Sequence, residues 1–249
     1  MGLVYLAFAM LASFTQNQVD TTTAGAEQYK NIFGEIRMSE ALVFYTNPMS
    51  RGRIARWMLE ETGVAYETRY IRYGEEMQAT AFTDINPMGK VPALVHGQDV
   101  VTECAAICAY LADVFEGAGL GPKPNERAKY FRALFFAAGP VEQATTNKAM
   151  GVSPKEDQKA MSGYGDFDRM LNGLQHLLGE GPYICGERFT AADVYLGSQI
   201  GWGLQFGTLP ANPVMEAYRD RLQGRGAWKR ADELDNAAMA EFGPAMPDS

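Results

Sequence analysis

From residue 41 onward the apolar positions change period several times, and each change marks an element. Ala41 to Thr46 is a β-branched and aromatic run that predicts a strand. Arg51 to Glu61 carries Ile54, Trp57 and Met58 at helical spacing and stops at Gly63, and Tyr66 to Ile71 alternates like a second strand, so residues 41–71 read as a βαβ unit. A short, poorly periodic segment around Met77 to Phe82 follows, then the breaker Asn86-Pro87-Met88-Gly89. Pro92 to Val95 and Val100 to Thr102 predict two strands about a His96-Gly97-Gln98-Asp99 turn, and an Ala-rich helix runs from Glu103 to Phe115. The predicted order is β-α-β-α-β-β-α.

Residues 117–125, GAGLGPKPN, interrupt both periods, and a domain boundary is placed there. Every later segment predicts helix. Ala128, Phe131, Phe135 and Ala138 mark one apolar stripe, and Phe167, Met170, Leu171, Leu174, Leu177 and Leu178 a stronger one. At Phe189-Thr190-Ala-Ala-Asp193-Val194, Thr190 and Asp193 have capping-box spacing while Phe189 and Val194 are placed as a hydrophobic staple. Two more helices are expected over Pro213 to Gln223 and Ala227 to Ala240. The domain reading is therefore residues 38–116 as α/β, 117–125 as linker and 126–244 as all-helical.

Composition narrows the function classes. The 249 residues are 47% hydrophobic and 21% charged, enough for one large domain or two small ones. A net charge of −8 gives no general attraction to nucleic acid or to an anionic membrane, and neither is expected as a partner. Three cysteines, Cys104, Cys108 and Cys185, are too few and too uneven for a disulfide framework, and with two histidines no zinc-ligand spacing arises. No metal is expected, and a reducing cytoplasmic compartment fits. Residues 3–14 form an apolar run with no basic residue before it, too short to span a bilayer. The expectation is that residues 1–37 extend outside the fold and that Met38 is the functional start, an export or anchoring signal being the alternative.

Four motifs, read in order, carry a resemblance. They are Tyr45-Thr-Asn-Pro-Met-Ser50-Arg at the first strand-to-helix turn, Asn86-Pro-Met-Gly-Lys-Val-Pro92-Ala-Leu, Val101-Thr-Glu103-Cys104-Ala-Ala-Ile, and the Phe189-Thr-Ala-Ala-Asp193 cap. Across residues 40–230 the chain resembles the glutathione S-transferase family. That resemblance implies a thioredoxin-like α/β N-terminal domain followed by an all-α helical bundle, and a cytoplasmic, homodimeric detoxification enzyme with glutathione as co-substrate and no bound cofactor. It implies that Pro92 is cis and that Val91 presents its backbone to the cysteinyl part of glutathione. Glu103 and Cys104, at a helix N-terminus, would meet the γ-glutamyl end. Cys104 replaces the family's usual Ser and is a weaker donor, which leaves its backbone N–H to serve. Lys90 would meet the glycine carboxylate, and Asn47 would add an amide donor.

The chemistry turns on Ser50, five positions after Tyr45. In serine-type members a hydroxyl at the matching point donates to the glutathione sulfur and favours thiolate over thiol. Lowering a thiol pKa by about two units requires about 2.7 kcal/mol of preferential anion stabilisation, within the range of one charge-directed hydrogen bond and a helix dipole. From its position alone Ser50 also reads as the N-cap of its helix, bonding to the N–H of Gly52 or Arg53. Tyr45 competes as donor by analogy with tyrosine-type members, although a strand aromatic is more often core. Ser50 is ranked first. The family binds its second substrate between the domains, which makes Tyr130, Phe131, Leu134 and Tyr164 candidates for a hydrophobic electrophile's pocket. The leading function is conjugation of reduced glutathione to such an electrophile. The alternative is a non-catalytic glutathione-binding, ligand-binding or protein-interaction module, and a glutathione-dependent disulfide reductase ranks below both because position 50 is not Cys.

Overall fold

The computed structural model describes residues 40–179 and 181–242, and the expectations for residues 1–37 and for Met38 lie outside them. Strands β1 (Leu42–Thr46), β2 (Glu67–Tyr70), β3 (Ala93–His96) and β4 (Asp99–Val101) form one sheet in the order β2-β1-β3-β4. β1 pairs parallel with β2 across helix α1 (Gly52–Thr62), and antiparallel with β3, which turns directly into β4. The weakly periodic segment between β2 and β3 makes two single helical turns, Glu75–Gln78 and Thr80–Thr83. Its motif gave no long helix because no apolar stripe is long enough to hold one.

The alternation along β1 sorts the sheet's two faces. Phe44 and Leu94, both fully buried, point into the main core with α1 and α2 (Cys104–Val114). Tyr45 and Ala93, one residue on, point to the opposite face and pack with Phe82 from the second helical turn. α1 approaches β1 so closely that a Cβ at Gly52 would lie 1.9 Å from Thr46 Oγ1, and only glycine fits there.

The Gly- and Pro-rich stretch after α2 leads into α3 (Arg127–Phe136), a π-type turn at Ala137–Val141, and α4 (Glu142–Ala149). Pro140 sits in that wide turn, where its missing N–H does not break a regular ladder. Helices α5 (Phe167–Leu178), α6 (Ala191–Gln205), α7 (Pro213–Gln223) and α8 (Gly226–Phe242) complete the described chain. α6 is its central post. Thr190 and Asp193 form the capping box, and the Asp193 carboxylate also accepts from Ile184 N–H and the Tyr218 hydroxyl at 2.8 and 2.7 Å. One buried cluster runs from Phe44 and Trp57 through Leu134 and Leu174 to Leu196 and Leu222, so the α/β and helical halves share a core.

The stripe expected on α3 turns outward. Phe131 and Phe135 are 45% and 68% exposed, while Tyr130, Ala133, Leu134, Ala137 and Val141 are buried. Two apolar stripes lie side by side in this sequence, and the one with alanines at its centre permits the closer approach to α6.

Candidate active site

The turn Asn47 to Arg51 closes β1 and opens α1, and most of its polar atoms are paired. Asn47, fully buried, accepts from Met49 N–H on Oδ1 at 2.9 Å and donates through Nδ2 to the carbonyls of Ile71 and Phe242 at 2.9 and 3.1 Å. Its own carbonyl accepts from Ser50 N–H at 3.0 Å and from the Ser50 hydroxyl at 2.7 Å. Ser50 Oγ accepts from Gly52 N–H at 2.9 Å. The hydroxyl thus caps its own helix, and its proton rests on the Asn47 carbonyl. Arg51 N–H, between them, has no hydrogen-bond partner among the described residues.

A groove of about 200 Å³ lies against this turn, lined by Met49, Ser50, Arg51, Tyr73, Met77, Lys90, Val91 and Trp202. Three of the residues singled out from sequence, Ser50, Lys90 and Val91, therefore share one groove although they come from separate motifs. The Val91-Pro92 peptide bond is cis. The Val91 backbone makes no hydrogen bond to other described residues, while the neighbouring Lys90 carbonyl accepts from Asn86 Nδ2 at 2.7 Å. Lys90 stands exposed at the lip.

Glu103 immediately precedes α2 at φ 64°, ψ 113°, the one positive-φ residue other than glycine among the described residues. Such a backbone costs about 1–3 kcal/mol and is retained where surrounding structure enforces it. Glu103 is exposed and makes no side-chain cap, so the first N–H groups of α2 are left for another acceptor. Cys104 is 7% exposed, and its thiol donates to the Arg51 carbonyl at 3.4 Å, tying the α2 start to the α1 start. Burial, reinforced by the neighbouring Cys108 thiol, pushes its pKa well above the ordinary thiol range, so it stays protonated and inert.

Tyr45 stands elsewhere. Its ring packs on Phe82 on the far face of the sheet, and its hydroxyl accepts from Arg69 Nη1 at 3.3 Å. The Asn47 amide nitrogen is consumed by the Ile71 and Phe242 carbonyls, and Asn47 does not line the groove. Tyr130 and Leu134 are core, Phe131 faces outward, and the Tyr164 hydroxyl accepts from Asn147 Nδ2 at 3.0 Å. None of these four lines the Ser50 groove. Helical spacing marks them as apolar but does not say which side of α3 meets which neighbour.

The space that does adjoin Ser50 is a cavity of about 510 Å³ between α1, α6, α7 and α8, sharing Met49, Ser50 and Trp202 with the groove. Trp57, Trp202, Phe206, Trp228 and Met239 give its apolar wall, and Arg53, Asp232, Asp235 and Asn236 its polar end. Sequence reasoning missed this wall, because its residues fall on helices whose boundaries were predicted but whose mutual packing was not.

Comparison with known proteins points in the same direction as this geometry. The family model described as glutathione S-transferase, N-terminal domain, matches residues 49–114, from the Ser50 turn to the end of α2. Glutathione S-transferase F14 of Arabidopsis thaliana is 24% identical over 203 residues, covering 73% of this chain and 79% of that protein. In sequence over residues 49–114, and in fold, the chain resembles the glutathione S-transferase family. A solved glutathione transferase from Methylococcus capsulatus superposes with a TM-score of 0.66 at 27% identity, covering 79% of this chain and all of its own. A theta class glutathione S-transferase from Xanthomonas axonopodis pv. citri, solved with glutathione bound, gives 0.60 at 27% identity over 77% of this chain and 97% of its own. As in that family, the N-terminal half is a thioredoxin-like domain and the remainder is helical. Among the described residues no helix is long and apolar enough to cross a membrane.

Proposed function

We propose that the protein is a glutathione transferase that binds reduced glutathione in the groove between Ser50 and Val91 and transfers its sulfur to a hydrophobic electrophile in the adjoining cavity. The supporting observation is the convergence of Ser50, Lys90 and the backbone of Val91 on one groove that opens into a cavity walled by Trp202, Phe206 and Met239. An extended tripeptide pairs with the Val91 backbone, its glycine carboxylate meets Lys90, and its γ-glutamyl end meets Glu103 and the first N–H groups of α2. The sulfur then lies at the α1 N-terminus, beside the Ser50 hydroxyl and Arg51 N–H. The thiol proton leaves to solvent. Ser50 turns its own proton from the Asn47 carbonyl to the thiolate, exchanging one hydrogen bond of about 1 kcal/mol for a stronger charge-assisted one. The thiolate forms a carbon–sulfur bond with the electrophile, which either expels a leaving group with the displaced electron pair or takes up a proton after addition. A homodimer belongs to the same reading.

A second reading, a glutathione- or ligand-binding module without turnover, is favoured by one specific feature: the Ser50 hydroxyl is already satisfied on both sides, by Asn47 and Gly52. Retention on immobilised glutathione followed by conjugation of a chloronitrobenzene-type electrophile tests both. Turnover that is lost in Ser50→Ala and kept in Tyr45→Phe is the expected result. Loss in Tyr45→Phe with retention in Ser50→Ala would reassign the donor, and binding with no turnover across a broad electrophile panel would establish the second reading.

A further inference from the structure

One face of α8 converges on the turn that carries Ser50. Asp232, Asp235, Asn236, Met239 and Phe242 recur at spacings of three and four along this helix and form a single stripe. Arg53, in the first turn of α1, donates through Nη1 to Asp232 at 3.0 Å, through Nη2 to Asn236 at 2.7 Å, and through Nε to the Pro48 carbonyl at 2.6 Å. Asn236 Nδ2 donates in turn to Asp232 Oδ2 at 2.9 Å, which closes a ring of hydrogen bonds between helix and turn. The end of α8 reaches the turn by a second route. The Phe242 carbonyl accepts from Asn47 Nδ2 at 3.1 Å, and the Phe242 ring stacks on Tyr70 with centroids 4.4 Å apart. Between these two grips Arg56, 2% exposed, joins Asp235 at 2.8 Å and anchors α8 to α1.

The residues gripped are those that orient Ser50. Asn47 supplies the carbonyl on which the Ser50 hydroxyl rests, and Pro48 is the link between Asn47 and the exposed Met49. Neither Asp232 nor Asn236 lines the groove assigned to glutathione. Catalytic groups tolerate only small displacements from productive geometry, so a turn held at one end alone would lose part of its effect on the sulfur.

We infer that α8 is a positioning element for Ser50: the Arg53 bridge to Asp232 and Asn236, together with the Asn47 bond to Phe242, fixes the Asn47–Ser50 turn so that the hydroxyl stands beside the glutathione sulfur. This rests on the assignment of Ser50 as the thiolate's donor. Asp232 and Asn236 act through Arg53 and Pro48, without touching the sulfur.

The test reads ionisation of bound glutathione directly, from its thiolate absorbance in the ultraviolet as pH is raised, with no electrophile present. In the Asp232→Ala/Asn236→Ala double variant the midpoint rises by about one pH unit towards that of the free thiol. The dissociation constant for glutathione stays within about twofold of wild type, because the groove is intact. Asn236→Gln, which keeps both an acceptor for Arg53 and a donor for Asp232, retains the wild-type midpoint. Arg53→Lys, which keeps a charge for Asp232 but loses the fork that spans Pro48 and Asn236, serves as an independent second variant and shows the same rise. An unchanged midpoint in a folded variant with a lowered melting temperature overturns the inference and leaves α8 as a packing helix. A shift in Asn236→Gln as large as in the double variant also overturns it. Wild-type protein that binds glutathione without a thiolate band removes the Ser50 assignment itself, a separate and recognisable outcome.

Discussion

Two helix N-termini are joined by the Cys104 thiol and the Arg51 carbonyl beside the proposed glutathione groove, and they are built in opposite ways. At α1 the cap is internal: Ser50 Oγ accepts from Gly52 N–H while its proton rests on Asn47, and Arg53 of α1 ties the turn to α8. At α2 there is no side-chain cap, Glu103 is held at positive φ in solvent, and the Cys104 thiol points back to Arg51. A closed mouth needs one hydrogen bond exchanged before it can stabilise an anion, whereas an open one binds a carboxylate with no rearrangement. The difference fits the two ends of the proposed ligand. A carboxylate arrives already charged, and a thiol must be made to ionise. A third start, that of α3, has no side-chain cap, is braced by an ion pair between Glu126 and Arg188 and touches neither groove nor cavity, so it serves as a purely structural control.

The largest expected effect is at the closed mouth. Ser50→Ala lowers kcat/KM for conjugation by about 100-fold and, by removing the cap, lowers stability by about 1 kcal/mol. Steady-state kinetics paired with denaturant melts measure both, and loss of stability with unchanged turnover would reduce Ser50 to a cap. Next comes the open mouth. Glu103→Ala raises half-saturation for glutathione by about 10-fold, the equivalent of one charge-assisted hydrogen bond, and leaves stability unaltered. Glu103→Gly has the same binding defect but relaxes the backbone and gains about 1 kcal/mol in a denaturant melt. A Glu103→Gly protein no more stable than wild type would show that the positive φ carries no strain.

The smallest effect belongs to the control. Hydrogen bonding from Arg188 holds the Glu126 carboxyl down at about 2, below its ordinary 4.5. Because the folded value is the lower one, the pair's contribution is present in full above about pH 4.5 and is lost as pH falls towards 2. Glu126→Gln therefore melts below wild type at neutral pH, and thermal scans at successively lower pH close the gap. Glutathione affinity is unchanged throughout. A gap that ignores pH would assign the loss to packing.

Much of this arrangement was legible in the order of residues. Gly63 stops α1, the Asn86 to Gly89 breaker precedes β3, and the Thr190 and Asp193 spacing starts α6, because each depends on chain geometry within a few residues. The same holds for the approach of Ser50 to its own helix, and the cis Val91-Pro92 bond follows the motif that carries it. What sequence leaves open is which of two adjacent apolar stripes turns inward. Phe131 was legible as apolar and lies exposed, since a stripe's direction is set by the surface it packs on. Tyr45 and Ser50 both looked like donors, and one step of strand alternation put Tyr45 on the far face of the sheet.

The residues by themselves determined the elements, their order, and the cap, breaker and motif that fix where the groove begins, all of which are short-range consequences of backbone sterics and local hydrogen bonding. Tertiary structure alone decided the rest: the polar stripe of α8, which a periodicity reading would leave to solvent, is turned against α1, and the cavity beside Ser50 is walled by Trp202 and Met239 rather than by α3. The reason is that long-range contacts depend on how whole helices pack, and packing rewards shape complementarity summed over many side chains, which no local window contains.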